Sequence, residues 1–171
     1  MPDVTVRTAD PADAATILSL KRAAIEQLTA SAYTDAQREA WAPDDDATGE
    51  FRAALEADSF QVLVAEADET LVGYGVLNAG ERTIDALFVR PFWTRSGVGT
   101  RLLGQLEASA RIVGCETLTA VAARNAVPFY ERVGYTAVET QDRTIDGVEL
   151  PFVCMRKDLD EAEWAGAVTN I

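Results

Sequence analysis

The sequence contains no histidine and only two cysteines, Cys115 and Cys154. Without histidine there can be no Cys/His zinc site, no histidine-assisted serine or cysteine triad and no imidazole acid or base. Two cysteines are too few for the disulfide framework of a small secreted protein, and both stand in apolar contexts that favour buried thiols. We therefore expect no metal, and chemistry that relies on carboxylates, tyrosine, backbone groups or water.

Long apolar runs and basic residues are also scarce. No stretch approaches the roughly 18 apolar residues of a membrane helix, so no membrane partner is expected. The N-terminal "MPDVTVRTADPAD" lacks the basic and apolar regions of a secretion signal, which predicts a cytoplasmic protein by default. The formal net charge is −13. Because a surface this acidic repels phosphates, no nucleic-acid partner is expected.

Lysine is rarer than arginine, with two residues against thirteen, while aspartate and glutamate number fourteen each. Acid-rich, lysine-poor surfaces suit a high-salt cytoplasm, where screening weakens self-repulsion. This composition is typical of an acidic proteome and favours a halophilic source. An ordinary acidic protein from a GC-rich genome is the alternative.

The length and patterning predict one domain over residues 1–160, followed by a C-terminal tail over 161–171. Hydrophobic residues make up 48% of the chain, enough for a sizeable core. The periodicities predict a strand, helices, three strands, a helix, a strand, a helix and two final strands. A parallel crossover beside an antiparallel meander indicates an α/β (α+β) fold, with a mixed, mostly antiparallel sheet of six to seven strands flanked by helices.

The segment "LFVRPFWTRSGVGTRLLGQLE", from Leu87 to Glu107, passes from a strand through a glycine turn into a helix. Such a turn presents backbone N–H groups at the positive end of a helix dipole, and glycines allow close approach. Gly97 and Gly99 thus indicate an anion site suited to a pyrophosphate, or else close packing without a ligand. The GxxxxGK[ST] loop is absent, and the third glycine of GxGxxG is missing.

Two motifs in order carry a family resemblance. "VRPFWTRSGVGTRLL" resembles the acyl-CoA-binding segment of the GCN5-related N-acetyltransferase (GNAT) superfamily, and "NAVPFYERVGY" resembles its second signature. One helix and one strand separate the two motifs, as in that superfamily. The first motif departs at one position: Thr94 stands where Gln or Arg is usual, and the arginine follows as Arg95.

The resemblance implies acetyl-CoA as cofactor, with its pyrophosphate on the backbone amides from Arg95 to Thr100. It also implies that the sheet splays beside Leu87 to Val89, leaving backbone groups for the pantetheine arm. Asn125 matches a position that often touches the cofactor, although it could equally cap a helix. The implied cofactor-binding residues are Leu87, Phe88, Val89, Arg95, Ser96, Gly97, Val98, Gly99, Thr100 and Asn125.

Tyr130 matches the general acid of the superfamily, which protonates the departing thiolate, although a helical tyrosine can also be a packing residue. Its reference pKa near 10 lies close enough to the roughly 8.5 of a thiol for this transfer. With no histidine, a carboxylate acting directly or through water is the expected base. Asp85, inside the apolar "TIDALFV", is the first candidate because burial would raise its pKa; a partnered acid at the sheet edge is the alternative. Glu26 is the second candidate.

The acceptor site is less marked. "AYTDAQREAWAP" resembles a subset of GNAT proteins in which a tyrosine and a tryptophan bracket a short helix. Tyr33 and Trp41 are therefore expected to line the acceptor pocket, with core packing as the alternative for Trp41. Asn78 is a weaker expectation for the same pocket.

The predicted function is transfer of the acetyl group of acetyl-CoA to an amine, either a small molecule or a protein N-terminus or lysine. Direct attack in a ternary complex is expected, since there is no histidine and neither cysteine lies in a motif. The alternative is a non-catalytic acyl-CoA-binding sensor or regulatory subunit. The acidic surface points to cationic acceptors such as polyamines, aminoglycosides or protein N-termini. A homodimer through the final strands is left open, because such proteins commonly pair there.

Overall fold

A computed structural model describes residues 3–44, 47–57 and 59–159. The predicted tail over 161–171 lies outside the described residues. The strands are β1 (Val4–Thr8), β2 (Phe60–Ala67), β3 (Thr70–Asn78), β4 (Thr83–Val89), β5 (Thr117–Ala122), β6 (Thr136–Ile145) and β7 (Val148–Asp158). The α-helices are α1 (Ala14–Leu28), α2 (Asp35–Trp41), α3 (Ala47–Glu56), α4 (Val98–Ile112) and α5 (Val127–Arg132). Within these ranges, no helix has the length and apolar character needed to cross a bilayer.

The strands form one seven-stranded sheet in the order β1-β2-β3-β4-β5-β7-β6. Only the β4–β5 pair is parallel, and the other five neighbouring pairs in the described chain are antiparallel. Helix α4 makes the crossover between β4 and β5. The predicted mixed, mostly antiparallel sheet flanked by helices is therefore confirmed.

Short polar signals fix where the first helices begin. The Asp10 carboxylate accepts a hydrogen bond from the Ala12 amide at 2.8 Å, and the Asp10 amide donates to the Asp13 carboxylate at 2.8 Å. This capping box starts a 3₁₀ turn that leads directly into α1. Thr34 caps α2 in the same reciprocal way with Gln37.

Two apolar layers cover the two faces of the sheet. On one face, Ile17 and Leu20 of α1 pack in a cluster with Tyr74 of β3. On the other face, α4 contributes a row of buried side chains: Val98, Leu102, Leu103, Leu106 and Ala110. Helix α4 can lie close to the sheet because β3 presents Gly73 and Gly75 beneath it.

Gly73→Ala should destabilise the protein. The added Cβ would lie 2.9 Å from Val98 Cγ1 and 3.2 Å from the Phe88 carbonyl oxygen, and overpacking of this kind costs about 1–3 kcal/mol. Gly104→Ala is the matched control on α4, because its Cβ would meet nothing within 4 Å. We expect that control to gain up to about 1 kcal/mol from helix propensity. Urea unfolding compares the two, and equal stability of both variants would contradict the close packing.

Candidate functional site

A cleft opens where β4 and β5 diverge. The two strands pair only at Thr83 with Thr119 and at Ile84 with Ala120. The rest of β4 keeps its other edge on β3, so the edge over 85–89 has no strand partner among the described residues. The space beside it is a cleft of about 850 Å³, lined in part by Leu87, Phe88 and Val89. This divergence is the splay that the resemblance implied.

A β-bulge places Asp85 at the start of this open edge. Val76 pairs with Ala86 and Leu77 pairs with Ile84, which leaves Asp85 as an extra residue on β4. Bulges re-aim side chains and are frequent beside active sites. Asp85 lines the cleft and is exposed, so the burial expected from its apolar surroundings in the sequence is not found.

The Asp85 carboxylate is hydrogen-bonded to a hydroxyl group and is not enclosed in an apolar pocket. The Thr83 hydroxyl donates to Asp85 Oδ1 at 2.5 Å. The carboxylate is thus a partnered acid, in part the alternative that the sequence left open, but it lies in the middle of the sheet, where β4 parts from β5, and it faces the cleft. That position still allows it to take a proton from a ligand in the cleft, directly or through water.

The glycine turn at the start of α4 forms one end of the cleft. Gly97 has φ +88° at the N-cap, and the first helical bond runs from the Arg101 amide to the Gly97 carbonyl at 3.0 Å. The amides over 98–100 therefore have no partner within the helix. A Cβ on Gly99 would lie 3.3 Å from the Phe129 ring. Gly97 thus provides the left-handed turn, and the absence of a side chain at Gly99 leaves the N-terminus of α4 unobstructed.

Arginines stand beside the turn, but only some face the cleft. Arg95 lines it just before Gly97, whereas the Arg101 guanidinium donates to the Val4 carbonyl. Arg132 lines the cleft from the C-terminal end of α5. The Thr94 hydroxyl is engaged locally with the backbone. Arg95 is therefore the side chain next to the turn that is placed to contact an anion there.

Two of the residues expected at the turn can contribute only backbone groups. The Ser96 hydroxyl donates to the Trp93 carbonyl, and Ser96 is not among the residues that line the cleft. The Val98 side chain is buried against β3, close to Gly73. Thr100 does line the cleft, together with both glycines of the turn.

The second motif supplies the opposite wall. Tyr130 of α5 lines the cleft with 5% of its surface exposed, and burial raises the pKa of its hydroxyl. Asn125 also lines the cleft and is exposed. The cap positions around it are Ala123 and Ala126, so Asn125 is not a helix cap.

A buried polar network supports Tyr130 from behind. The Tyr135 ring lies 5.3 Å from the Tyr130 ring, and the Tyr135 hydroxyl donates to the buried Glu107 carboxylate at 2.8 Å. Lys157 Nζ lies 3.2 Å from the same carboxylate and donates to the Val133 carbonyl at 3.0 Å. Sequence reasoning missed this network, although a lone glutamate among the apolar positions of α4 was a signal for it.

An aromatic cluster forms a further wall. Trp41 lines the cleft, with its ring centroid 5.9 Å from Phe88 and 5.1 Å from Phe152. Tyr33 lies behind this wall, is buried and is not among the lining residues; its hydroxyl donates to the Pro151 carbonyl at 2.6 Å. Trp41 is therefore placed to meet a ligand, whereas Tyr33 positions the aromatic cluster.

The structure does not bring Glu26 or Asn78 to the cleft. Glu26 is exposed beside a separate hollow that is also lined by Arg22 and Arg38. The Asn78 side chain accepts a hydrogen bond from the Glu81 amide at 3.1 Å and so caps the turn that follows β3. Neither residue is in place to act on a ligand in the cleft.

Comparison with known proteins identifies the family. The family model of the Acetyltransferase (GNAT) domain matches residues 29–159. The chain belongs to the GNAT family. An uncharacterised N-acetyltransferase of Escherichia coli K12, YafP, is 31% identical over 141 residues, which cover 82% of this chain and 87% of that protein.

Solved GNAT structures share the fold over nearly the whole chain. A GCN5-related N-acetyltransferase from Rhodopseudomonas palustris is 34% identical with a TM-score of 0.86, covering 92% of this chain and 98% of that one. YncA, a putative acetyltransferase from Salmonella typhimurium, is 26% identical with a TM-score of 0.67, covering 92% and 95%. The YncA structure holds its cofactor acetyl-CoA.

The GNAT cleft has a charge opposite to that of the whole chain. Among the described residues, its lining contains one carboxylate, Asp85, and four cationic side chains: Lys21, Arg95, Arg132 and Arg143. The net charge of the chain is −13. The acidity on which the expectation of a cationic acceptor rested is therefore not a property of the cleft wall.

Lys157→Met should test the network behind Tyr130. The substitution leaves the Glu107 carboxylate buried without its cation, and breaking such a pair costs about 3–5 kcal/mol. The double variant Lys157→Met/Glu107→Gln removes both charges and should recover most of that loss. Urea unfolding at pH 7 measures both variants. A single variant as stable as the wild type would contradict the ion pair.

Proposed function

We propose that this protein transfers the acetyl group of acetyl-CoA to an amine while both substrates occupy the cleft. The observation that carries the proposal is the divergence of β4 and β5, which places an open strand edge beside a helix N-terminus. Asp85 lies on the first of these strands, and Tyr130 lies on the helix that follows the second. A general base and a general acid thus share one cleft.

The residues along the cleft fit acetyl-CoA in two places. The amides over 98–100, with Arg95, suit the pyrophosphate, because free N–H groups and a guanidinium are strong phosphate donors. The open edge over 87–89 offers backbone groups to the amides of the pantetheine arm. Acetyl-CoA supplies the acetyl group as an activated thioester with a thiolate leaving group.

In the transfer, the amine nitrogen forms a bond to the acetyl carbon and the carbon–sulfur bond breaks. Tyr130 donates its proton to the departing sulfur. Its raised pKa keeps the hydroxyl protonated at neutral pH, and the low-dielectric surroundings that cause this also raise the proton affinity of a thiolate beside it. Asp85 accepts the proton that the ammonium form of the acceptor must lose, directly or through one water. The second proton, which the nitrogen loses as the amide forms, passes through water to the Tyr130 phenolate and restores its hydroxyl.

A non-catalytic acyl-CoA-binding sensor or regulatory subunit is the second candidate. Thr94 favours it, because the usual Gln or Arg of the first motif is replaced at that position. The pairing of Asp85 with Tyr130 in one cleft favours the enzyme, since a binding protein needs neither a base nor an acid.

Cytoplasmic location, a halophilic source and a homodimer stay predictions.

Strand β6 stands at one edge of the sheet, and its first nine residues are exposed. Val138 on this strand keeps 61% of its surface exposed. Within the part of the chain that the structure describes, the outer edge of β6 has no partner strand, which supports a homodimer that forms through β6.

Tyr130→Phe should separate catalysis from binding. Loss of a general acid lowers kcat by about 10²- to 10⁴-fold, whereas the dissociation constant for acetyl-CoA should change less than about twofold, because the ring remains. Tyr74→Phe is the matched control: it removes the hydroxyl of another buried tyrosine, which does not line the cleft. The measurements are CoA release over an amine panel and calorimetric titration of acetyl-CoA.

The pH dependence of the rate is a second test of Tyr130 as the general acid. Because burial raises the pKa of Tyr130 above its usual value near 10, the acid stays protonated and the rate should show no falling limb below about pH 10. An unchanged kcat in Tyr130→Phe would remove Tyr130 from the mechanism. Acetyl-CoA binding with no transfer to any amine would favour the sensor, and no binding at all would overturn the acyl-CoA cleft.

A further inference from the structure

Lys21 brings an unpaired cation to the cleft. It lines the cleft from α1, with Nζ 5.7 Å from the centre of the Phe88 ring. Across the described residues, no carboxylate pairs with Nζ and no hydrogen-bond acceptor contacts it. Burial lowers the pKa of this ammonium. The Phe88 ring gives this cation a cation–π contact, and an anionic ligand group would give it a stronger, charge-assisted hydrogen bond.

The rings beside Lys21 form a continuous apolar surface. Phe88, Trp41 and Phe152 follow one another with centroid separations of 5.9 and 5.1 Å, and all three line the cleft. The Arg143 guanidinium lies 5.8 Å from the Phe152 ring at the far end. The surface therefore combines an aromatic floor with a cation at each end.

This cationic surface is separate from the phosphate end of the cleft. Lys21 belongs to α1, which packs on the Tyr74 face of the sheet, whereas the Gly97 turn opens α4 on the other face. The phosphate end has a cation of its own in Arg95, two residues before Gly97. The charge of Lys21 is thus available to a second ligand.

We propose that the acceptor is an amine that also carries an anionic group, such as a carboxylate, on an apolar or aromatic body. The inference rests on the proposed transferase function and names its acceptor class. Lys21 binds the anion by a charge-assisted hydrogen bond, and the body packs on Trp41 and Phe152. This class replaces the polyamines and aminoglycosides that the acidic surface suggested.

Two amines with the same reacting group test the proposed class of acceptor. 4-(Aminomethyl)benzoate and 4-methylbenzylamine differ in the carboxylate, and spermidine represents the polycations. The wild-type protein should acetylate the benzoate with a kcat/KM at least about tenfold above that of 4-methylbenzylamine, the scale of one charge-assisted hydrogen bond. An equal or better rate with 4-methylbenzylamine or spermidine would overturn the proposal.

Variants of Lys21 test whether this residue binds the anionic group of the acceptor. Lys21→Met should lower kcat/KM for the benzoate by about 10- to 100-fold, chiefly through KM, and leave 4-methylbenzylamine within about twofold. Lys21→Arg keeps the charge and should keep most of the preference. Arg52→Met, an exposed position on α3, is the control for loss of a surface cation. An equal fall in kcat for both amines would show that Lys21 serves the chemistry, and would overturn its role in anion binding.

A stability measurement separates binding from packing. Without ligand, Lys21→Met should raise Tm by a few degrees, because it removes a desolvated cation and keeps the apolar stem. A residue whose role was only structural would instead lower Tm when substituted, and that result would count against the proposal.

A titration makes the inference independent of turnover. The benzoate should bind the CoA-saturated protein more tightly than 4-methylbenzylamine does, and Lys21→Met should abolish the difference. If neither amine is acetylated but this preference holds, the transferase function fails and the ligand class stands. If 4-methylbenzylamine binds equally well, the ligand class fails whatever the activity.

Discussion

The parting of β4 from β5 after two residue pairs is the constraint on which the rest of the molecule depends. A parallel pair inside a sheet normally satisfies the backbone groups of both strands along their length. Here the backbone groups of β4 over 85–89 that face away from β3 open onto a cleft of about 850 Å³. Because buried backbone groups need partners, the open edge has to contact water or a ligand, and the proposed binding site rests on this requirement.

The packing on both sides keeps this gap in place. Helix α4 is held against β3 by the close approach at Gly73 and Gly75, so its N-terminus opens beside the end of β4. Behind α5, the buried contact of Tyr135 with Glu107 and Lys157 fixes the opposite wall. The cationic lining then concentrates positive charge in an acidic protein, which favours an anionic cofactor and, through Lys21, the anionic group of the proposed acceptor.

Features fixed by neighbours in sequence were predictable. The cap at Asp10 and the turn at Gly97 depend on local backbone preferences, and each stands at a residue type that favours it. The exposure of Asp85 was not predictable, because it follows from the register between β3 and β4. An apolar context in one strand does not reveal a bulge between two.

The same limit applies to α1. Lys21 and Glu26 stand five residues apart, and only the packing of the helix on the sheet decides that Lys21 meets the cleft and Glu26 does not. Asn78 was expected in the acceptor pocket, but its side chain instead accepts a hydrogen bond within the turn after β3. Roles that depend on which face of an element meets another element require the assembled fold.

Amide hydrogen exchange with and without acetyl-CoA tests the central claim most directly. The account predicts that saturating acetyl-CoA slows exchange within 87–89 on β4 and within 98–100 at the start of α4, and leaves β6 unchanged. Protection of amides elsewhere, with both of these segments exchanging as in the free protein, would contradict it.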